Sequence, residues 1–155
     1  MIKKTKFPKI SIITVVLNND KTIERCINSV INQKYPNKKI EHIIIDGGSK
    51  DSTVSIIKRY RNKITYWHSK KDKGLFDAMN IGIKKSSGNI IGILNSDDYF
   101  NKNALKIVSS YFSKYKIDFL FGSVIKHKLL HGFNPWKINF SFGFSWPIFY
   151  FAESI

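Results

Sequence analysis

The sequence predicts an α/β domain in which a mostly parallel sheet is covered by helices. Three observations lead there. Short runs rich in isoleucine and valine recur along the chain, each is followed by a stretch with apolar residues at helical spacing, and polar or glycine-bearing segments separate the two. With 155 residues, 43% hydrophobic and 14% aromatic, the chain can bury one core and is too short for two.

Ile10 to Val16 is short, mostly apolar and mostly β-branched, as a buried strand requires. Asp20 is placed to cap a helix in which Ile23, Cys26, Ile27, Val30 and Ile31 share one face, and Pro36 stops it. Ile40 to Ile45 forms the second strand. Asp51 or Ser52 caps a second helix with Val54, Ile57 and Tyr60 inward, and Ile64 to His68 follows as a strand. Leu75 to Lys85 reads as a helix, Ile90 to Leu94 as a strand, and Asn101 or Asn103 opens a helix carrying Leu105, Val108 and Phe112. Ile117 to Ile125 closes the regular part. After His131 the composition turns aromatic, and Phe133 to Phe151 reads as a docking surface more than as a core strand. The ending Glu153-Ser154-Ile155 has no helix stop or polar cap, which leads us to expect a truncated chain.

The 26 Lys and Arg against 11 Asp and Glu give a net charge of +15, which suits polyanionic partners. The basic residues are spread along the chain instead of gathered in one arm, so a solvated lysine-rich surface is favoured over nucleic-acid binding. The single cysteine, Cys26, excludes a disulfide framework and a CxxC site and fits a reducing cytoplasm. No signal peptide and no membrane span are expected.

In an open parallel sheet, ligands bind beyond the carboxyl ends of the strands. Three strands run into polar segments there: Thr14 to Asn18, Asp46-Gly47-Gly48-Ser49, and Asn95-Ser96-Asp97-Asp98. Adjacent carboxylates repel, and a divalent cation offsets that repulsion, so Asp97 and Asp98 suit Mn²⁺ or Mg²⁺. The other reading makes them a helix N-cap pair. Asp46, ahead of two glycines, could accept the imide N–H of uracil or simply form a turn, since Asp-Gly is a common turn dipeptide. Asp77 and Asn80, three apart, share a helix face near the same edge, with Lys70, Lys71 and Lys73 available to a diphosphate. His127 and His131 have metal-pair spacing, but Gly132 and Pro135 argue against a helix, so they read as surface histidines. No nucleophile elbow, Walker loop or GxGxxG motif is present.

Taken together, PKISIITVVLN, IIIDGGSKDST and KGLFDAMNIGIKKSSGNIIGILNSDDYF resemble the family 2 glycosyltransferases in order and spacing, over Pro8 to Asn103. The resemblance implies a GT-A-type fold with a Rossmann-like sheet that binds a nucleoside-diphosphate sugar, most often a uridine one. It implies that Thr14 and Val15 line the nucleoside site, that Asp46 reads the base, and that Asp77 and Asn80 sit beside ribose and sugar. Asp97 then lies near the ribose or sugar, and Asp98 binds the metal. The implied reaction is metal-dependent, inverting transfer to a glycan or lipid-linked acceptor. On this reading, residues 1–155 form one donor-binding domain with its core at 8–125, and 126–155 begin an incomplete acceptor region. The resemblance puts the general base beyond that core, and no residue of this chain is assigned to it. Trp146-Pro147-Ile148-Phe149-Tyr150 resembles the family's His-Pro-Thr-Phe-Phe segment with Trp in the His position. A role in surface polysaccharide or glycoconjugate assembly follows, in the cytoplasm, with peripheral contact at an anionic inner membrane face. Two alternatives stay open: a fragment that binds sugar nucleotide without turnover, and a nucleotidyltransferase.

Overall fold

The computed structural model describes residues 7–115, 117–121 and 148–151. The elements run β1 (Ile10–Val16), α1 (Ile23–Ile31), a 3-10 turn at Asn37–Lys39, β2 (Ile40–Asp46), α2 (Thr53–Arg59), β3 (Tyr66–Ser69), α3 (Leu75–Lys85), β4 (Ile90–Ile93), α4 (Ala104–Lys114), β5 (Phe119–Phe121) and β6 (Ile148–Phe151). They build one sheet in the order β3-β2-β1-β4-β6-β5. The first four strands are mutually parallel, and β6 runs antiparallel to both β4 and β5.

β1 is central and buried along its whole length, which is why it needs apolar residues on both faces. Ile10 and Ile12 pack with Cys26 and Val30 of α1 and Leu105 and Val108 of α4. Val16 joins Ile23, Ile27, Ile44, Ile56 and Ile57, where α1 and α2 meet the sheet. On the opposite face Ile13 and Val15 pack with Ile43, Ile45, Ile91 and Ala78 of α3. Each fully buried isoleucine contributes about 1.5–3 kcal/mol relative to exposure. Gly82 lets α3 lie close on β1, since a Cβ there would stand 2.4 Å from Ile13 Cγ2.

Several sequence expectations need correction. Asp20 does not cap α1: the helix begins at Ile23 after Thr22, and the Asn19 carbonyl accepts the Ile23 N–H. No side-chain cap bond is made at Ser52 or Asn103 either, although Asp51 accepts the Thr53 N–H at 3.0 Å. In α2 it is Ile56 and Ile57 that are buried, with Val54 half-buried. The third strand starts at Tyr66, because Ile64 turns into the core beneath α2 before the ladder begins. The largest correction concerns the aromatic segment: Ile148–Phe151 is a strand inside the sheet, between β4 and β5. Pairing there supplies partners for the backbone groups along the outer side of β4, which would otherwise form an open edge. Residues 122–147, with His127 and His131, lie outside the described residues, as does Glu153.

Candidate active site

The carboxyl ends of β1, β2, β3 and β4 open on one edge, and the loops that leave them are bolted together. Asn18, in the left-handed region at φ 49°, turns the chain after β1. Its N–H donates to Ser49 Oγ at 2.7 Å and its Oδ1 accepts the Lys50 N–H at 2.8 Å, joining the β1 loop to the β2 loop. Asn19 N–H donates to Thr53 Oγ1 at 2.9 Å, and Asn19 Nδ2 donates to Ser96 Oγ at 2.8 Å in the loop after β4. Thr22 Oγ1 donates to the Ser96 carbonyl at 2.9 Å. The β3 loop is held to β2 through Lys70 N–H on the Asp46 carbonyl, 3.0 Å, and Ser69 Oγ on Asp46 Oδ2, 2.6 Å.

Asp97 and Asp98 stand in the loop after β4, Asp97 exposed and Asp98 half-buried. Asp98 N–H donates to the Asn95 carbonyl at 3.1 Å, closing a turn. The pair does not cap a helix, since α4 begins only at Ala104. Arg25 of α1 fixes this loop from outside, donating to the Asp97 carbonyl at 2.9 Å with its guanidinium 4.4 Å from the Tyr99 ring centre. An open hollow of about 530 Å³ flanks the loop, between Arg25 and Ser29 of α1, Asn32 just after it, and Tyr99 to Asn103. Below it lies Cys26, whose thiol is pushed up to about 12 by burial, despite its contact with Thr14, with both aspartates adding to the rise. Cys26 is therefore an inert core residue.

The other residues singled out from sequence divide into those at the edge and those beneath it. Asp77 sits in the first turn of α3, its Oδ2 accepting the Lys73 N–H at 3.0 Å, and Asn80 is exposed one turn on. Lys70, Lys71 and Lys73 are exposed alongside. Thr14 and Val15 are not brought to the edge by their side chains: Thr14 is fully buried, 3.1 Å from His42 Nε2, and Val15 packs under α3. Leu17 stands at the edge in their stead, and with Leu75, Phe76 and Tyr99 it forms a set of exposed apolar side chains around it. Asp46 is fully buried, and its carboxylate accepts from the Gly48 N–H, the Ser49 N–H, Ser49 Oγ and Ser69 Oγ.

The roles of three residues were missed in the sequence. Arg25 looks like any solvated helix arginine, and no spacing marks it. Ser96 was named within the polar run before the aspartates, but its bonds to Asn19 and Thr22 were not foreseen. Asp72, over the glycine turn, is hidden in the lysine run, although a lone acid among lysines is itself a signal. Among the described residues no three His, Cys, Asp or Glu side chains converge as a metal cage. A hard divalent ion bound with a diphosphate takes one or two protein carboxylates and completes its shell with phosphate and water, and Asp97 and Asp98 fit that donor set.

The model of the family described as glycosyl transferase family 2 matches residues 11–154. The chain belongs to that family. Its relatives include an uncharacterized glycosyltransferase of Mycobacterium tuberculosis, 40% identical over 97 residues that make up 63% of this chain and 37% of that one. Another is the poly(ribitol-phosphate) beta-N-acetylglucosaminyltransferase TarS of Staphylococcus aureus, 31% identical over 127 residues, 80% of this chain and 22% of that one. The family 2 domain here thus spans between 22% and 37% of the length of these curated relatives. A solved structure of TarS in complex with UDP-GlcNAc superposes with a TM-score of 0.67 at 29% identity, over 81% of this chain and 36% of that one. A mannosyltransferase from Pyrobaculum calidifontis, solved with GDP-Man and Mn²⁺, gives a TM-score of 0.69 at 20% identity, over 75% of this chain and 35% of that one, and shares the fold. The sheet is thus that of the GT-A glycosyltransferases. No helix among the described residues is long and apolar enough to cross a membrane.

Proposed function

We propose that this domain binds a nucleoside-diphosphate sugar, a UDP-sugar, at the carboxyl edge of its sheet, and serves a metal-dependent transfer of the sugar to a glycan or lipid-linked hydroxyl with inversion. The observation that carries the reading is the bolting of the β1, β2 and β4 loops through Asn18, Asn19 and Ser96, which fixes Asp97 and Asp98 beside a solvent-open edge. The TarS structures with UDP-GlcNAc and with UDP, at 29% and 28% identity, support a uridine donor. In this scheme Asp98 holds Mn²⁺ or Mg²⁺ and Asp97 faces ribose or sugar. Asp77 and Asn80 line the sugar side, and the exposed lysines 70, 71 and 73 screen the diphosphate. When bound, the cation neutralises the diphosphate as it departs. Leu17, Leu75 and Phe76 give flat apolar surface for base and sugar rings. The nucleotidyltransferase alternative falls with the family assignment.

Calorimetric titration with UDP, with and without Mn²⁺, on the wild type and Asp98→Ala tests the reading. Metal-dependent UDP binding that weakens at least tenfold in Asp98→Ala is expected, with an unchanged melting temperature; metal-independent binding, or none, sinks it. Release of UDP from a UDP-sugar then separates transfer from binding alone. In the scheme the basic surface meets an anionic membrane carrying the acceptor, which flotation with phosphatidylglycerol vesicles checks.

A further inference from the structure

The carboxylate expected to read the base is already occupied. Asp46 accepts four hydrogen bonds from its own loops, on Oδ2 the Gly48 N–H at 3.1 Å, the Ser49 N–H at 3.0 Å and Ser69 Oγ at 2.6 Å, and on Oδ1 Ser49 Oγ. It has no exposed surface. A ligand N–H could reach it only by dismantling the joint between the β2 and β3 loops.

A second carboxylate lies directly over that turn. Asp72, half-buried in the loop between β3 and α3, has Oδ2 only 2.9 Å from the place a Cβ on Gly47 would take. Gly48, at φ +91°, brings the backbone equally close, since a Cβ there would stand 3.1 Å from the Lys71 nitrogen. The two glycines therefore let the loop of Lys71 and Asp72 settle on the end of β2, and the Asp72 carboxylate fills the space a side chain at position 47 would need. Its Oδ1 accepts the Gly74 N–H at 2.8 Å, which aims the group, and among the described residues Oδ2 accepts from none. One carboxylate oxygen is thus anchored, and the other lies over Gly47 at the carboxyl end of β2.

We propose that Asp72 is the residue that selects the nucleobase, accepting the N3–H of uracil on Oδ2, while Asp46 holds the turn beneath it. The proposal rests on the reading that a nucleoside diphosphate occupies this edge. Uracil presents a ring N–H at position 3, whereas cytosine presents a lone pair there and would set one acceptor against another. Guanine also carries a ring N–H, at N1, so the experiment includes it. A site built around a hydrogen bond rejects the analogue that cannot make it more strongly than apolar contact could.

Calorimetric titration of the 155-residue chain with UDP, CDP and GDP in Mn²⁺, on the wild type, Asp72→Ala, Asp72→Asn and Asp46→Asn, decides it. The wild type should bind UDP at least tenfold more tightly than CDP or GDP. Asp72→Ala should weaken UDP about tenfold and bring UDP and CDP level. Asp72→Asn, whose amide can donate to cytosine N3, should raise CDP relative to UDP. Asp46→Asn should lower the melting temperature and leave the UDP to CDP ratio alone. A ratio that holds in both Asp72 variants overturns the assignment while the donor site stands. So does a ratio that moves in Asp46→Asn instead, or a wild type that prefers GDP. A wild type that binds no nucleotide removes the donor site itself and this assignment with it.

Discussion

The two ends of the parallel sheet use carboxylates in opposite ways. At the amino end Glu41, 5% exposed, accepts from Lys9 Nζ at 2.9 Å, Ser11 Oγ at 2.5 Å, the Ser87 N–H at 2.7 Å and Ser87 Oγ at 2.9 Å. Ser11 Oγ accepts in turn from the Gly88 N–H at 2.8 Å, so β1, β2 and the approach to β4 are tied by one buried acid. At the carboxyl end Asp46 does the same for β2 and β3, while Asp72, Asp77, Asp97 and Asp98 stand on the loops and helix start along that edge, each half-buried or exposed. A carboxylate saturated by the protein's own donors is architecture. Acids that keep exposed surface at a strand edge can meet a cation or a ligand N–H.

Removing the saturated acid at the closed end should therefore cost stability and nothing else. Glu41→Ala strands the Ser87 N–H, Ser11 Oγ and Lys9 together, and urea unfolding should show a loss of about 3 kcal/mol. UDP affinity, measured where the variant remains folded, should hold. Burial raises the Glu41 carboxyl, but the bonds from Ser11, Ser87 and Lys9 outweigh it and leave the group below its ordinary value. Its stabilisation is thus complete above the unfolded-state value near 4.5 and is lost as pH falls through the lower folded value. A Glu41 variant that keeps its stability and loses nucleotide would erase the distinction between the ends.

Midway along β2 sits a buried group of a third kind, neither saturated nor open. Burial pushes the His42 imidazole down to about 3; Nε2 lies 3.1 Å from Thr14 Oγ1 and Nδ1 has no partner among the described residues. The folded state keeps it neutral, while the unfolded chain protonates near 6.5. Stability from this group is whole above 6.5 and falls as pH drops toward 3, at up to about 1.4 kcal/mol per pH unit. Between pH 6.5 and 5 the wild type should lose about 2 kcal/mol, and His42→Leu should flatten that slope. An equally steep slope in the variant would assign the pH response to the carboxylates at the two ends.

What could be read without coordinates follows from how local the causes are. Leu75 to Lys85 was bounded correctly because Gly74 and Ser86 punctuate an uninterrupted helical pattern, and the isoleucine runs announced β1, β2 and β4 for the same reason. β6 was not legible, since its place beside β4 depends on pairing across more than fifty residues that composition does not encode. The sequence also could not show that Asp46 is consumed by Ser49 and Ser69, because competition for lone pairs is settled only when the β2 and β3 loops meet. Nor could the sequence show that the side chains of Thr14 and Val15 are buried in β1 while those of Leu17 and Asn18, just beyond it, are exposed.

Two glycines give the finest comparison of the ends, because the same added methyl meets different neighbours. At Gly88 a Cβ would stand 2.6 Å from both the nitrogen and Oγ of Ser11 and 3.0 Å from the Ile90 carbonyl, so rigid backbone must move. Gly88→Ala should cost about 1–3 kcal/mol in unfolding free energy and leave UDP affinity unchanged. At Gly47 the Cβ would meet Asp72 Oδ2 at 2.9 Å, the far end of a side chain that can swing away. Gly47→Ala should therefore change stability by less than about 0.5 kcal/mol. It should nonetheless weaken UDP and narrow its preference over CDP, since the carboxylate that moves is the one facing the base. A Gly47→Ala protein that melts early and keeps its base preference would make the open end as architectural as the closed one.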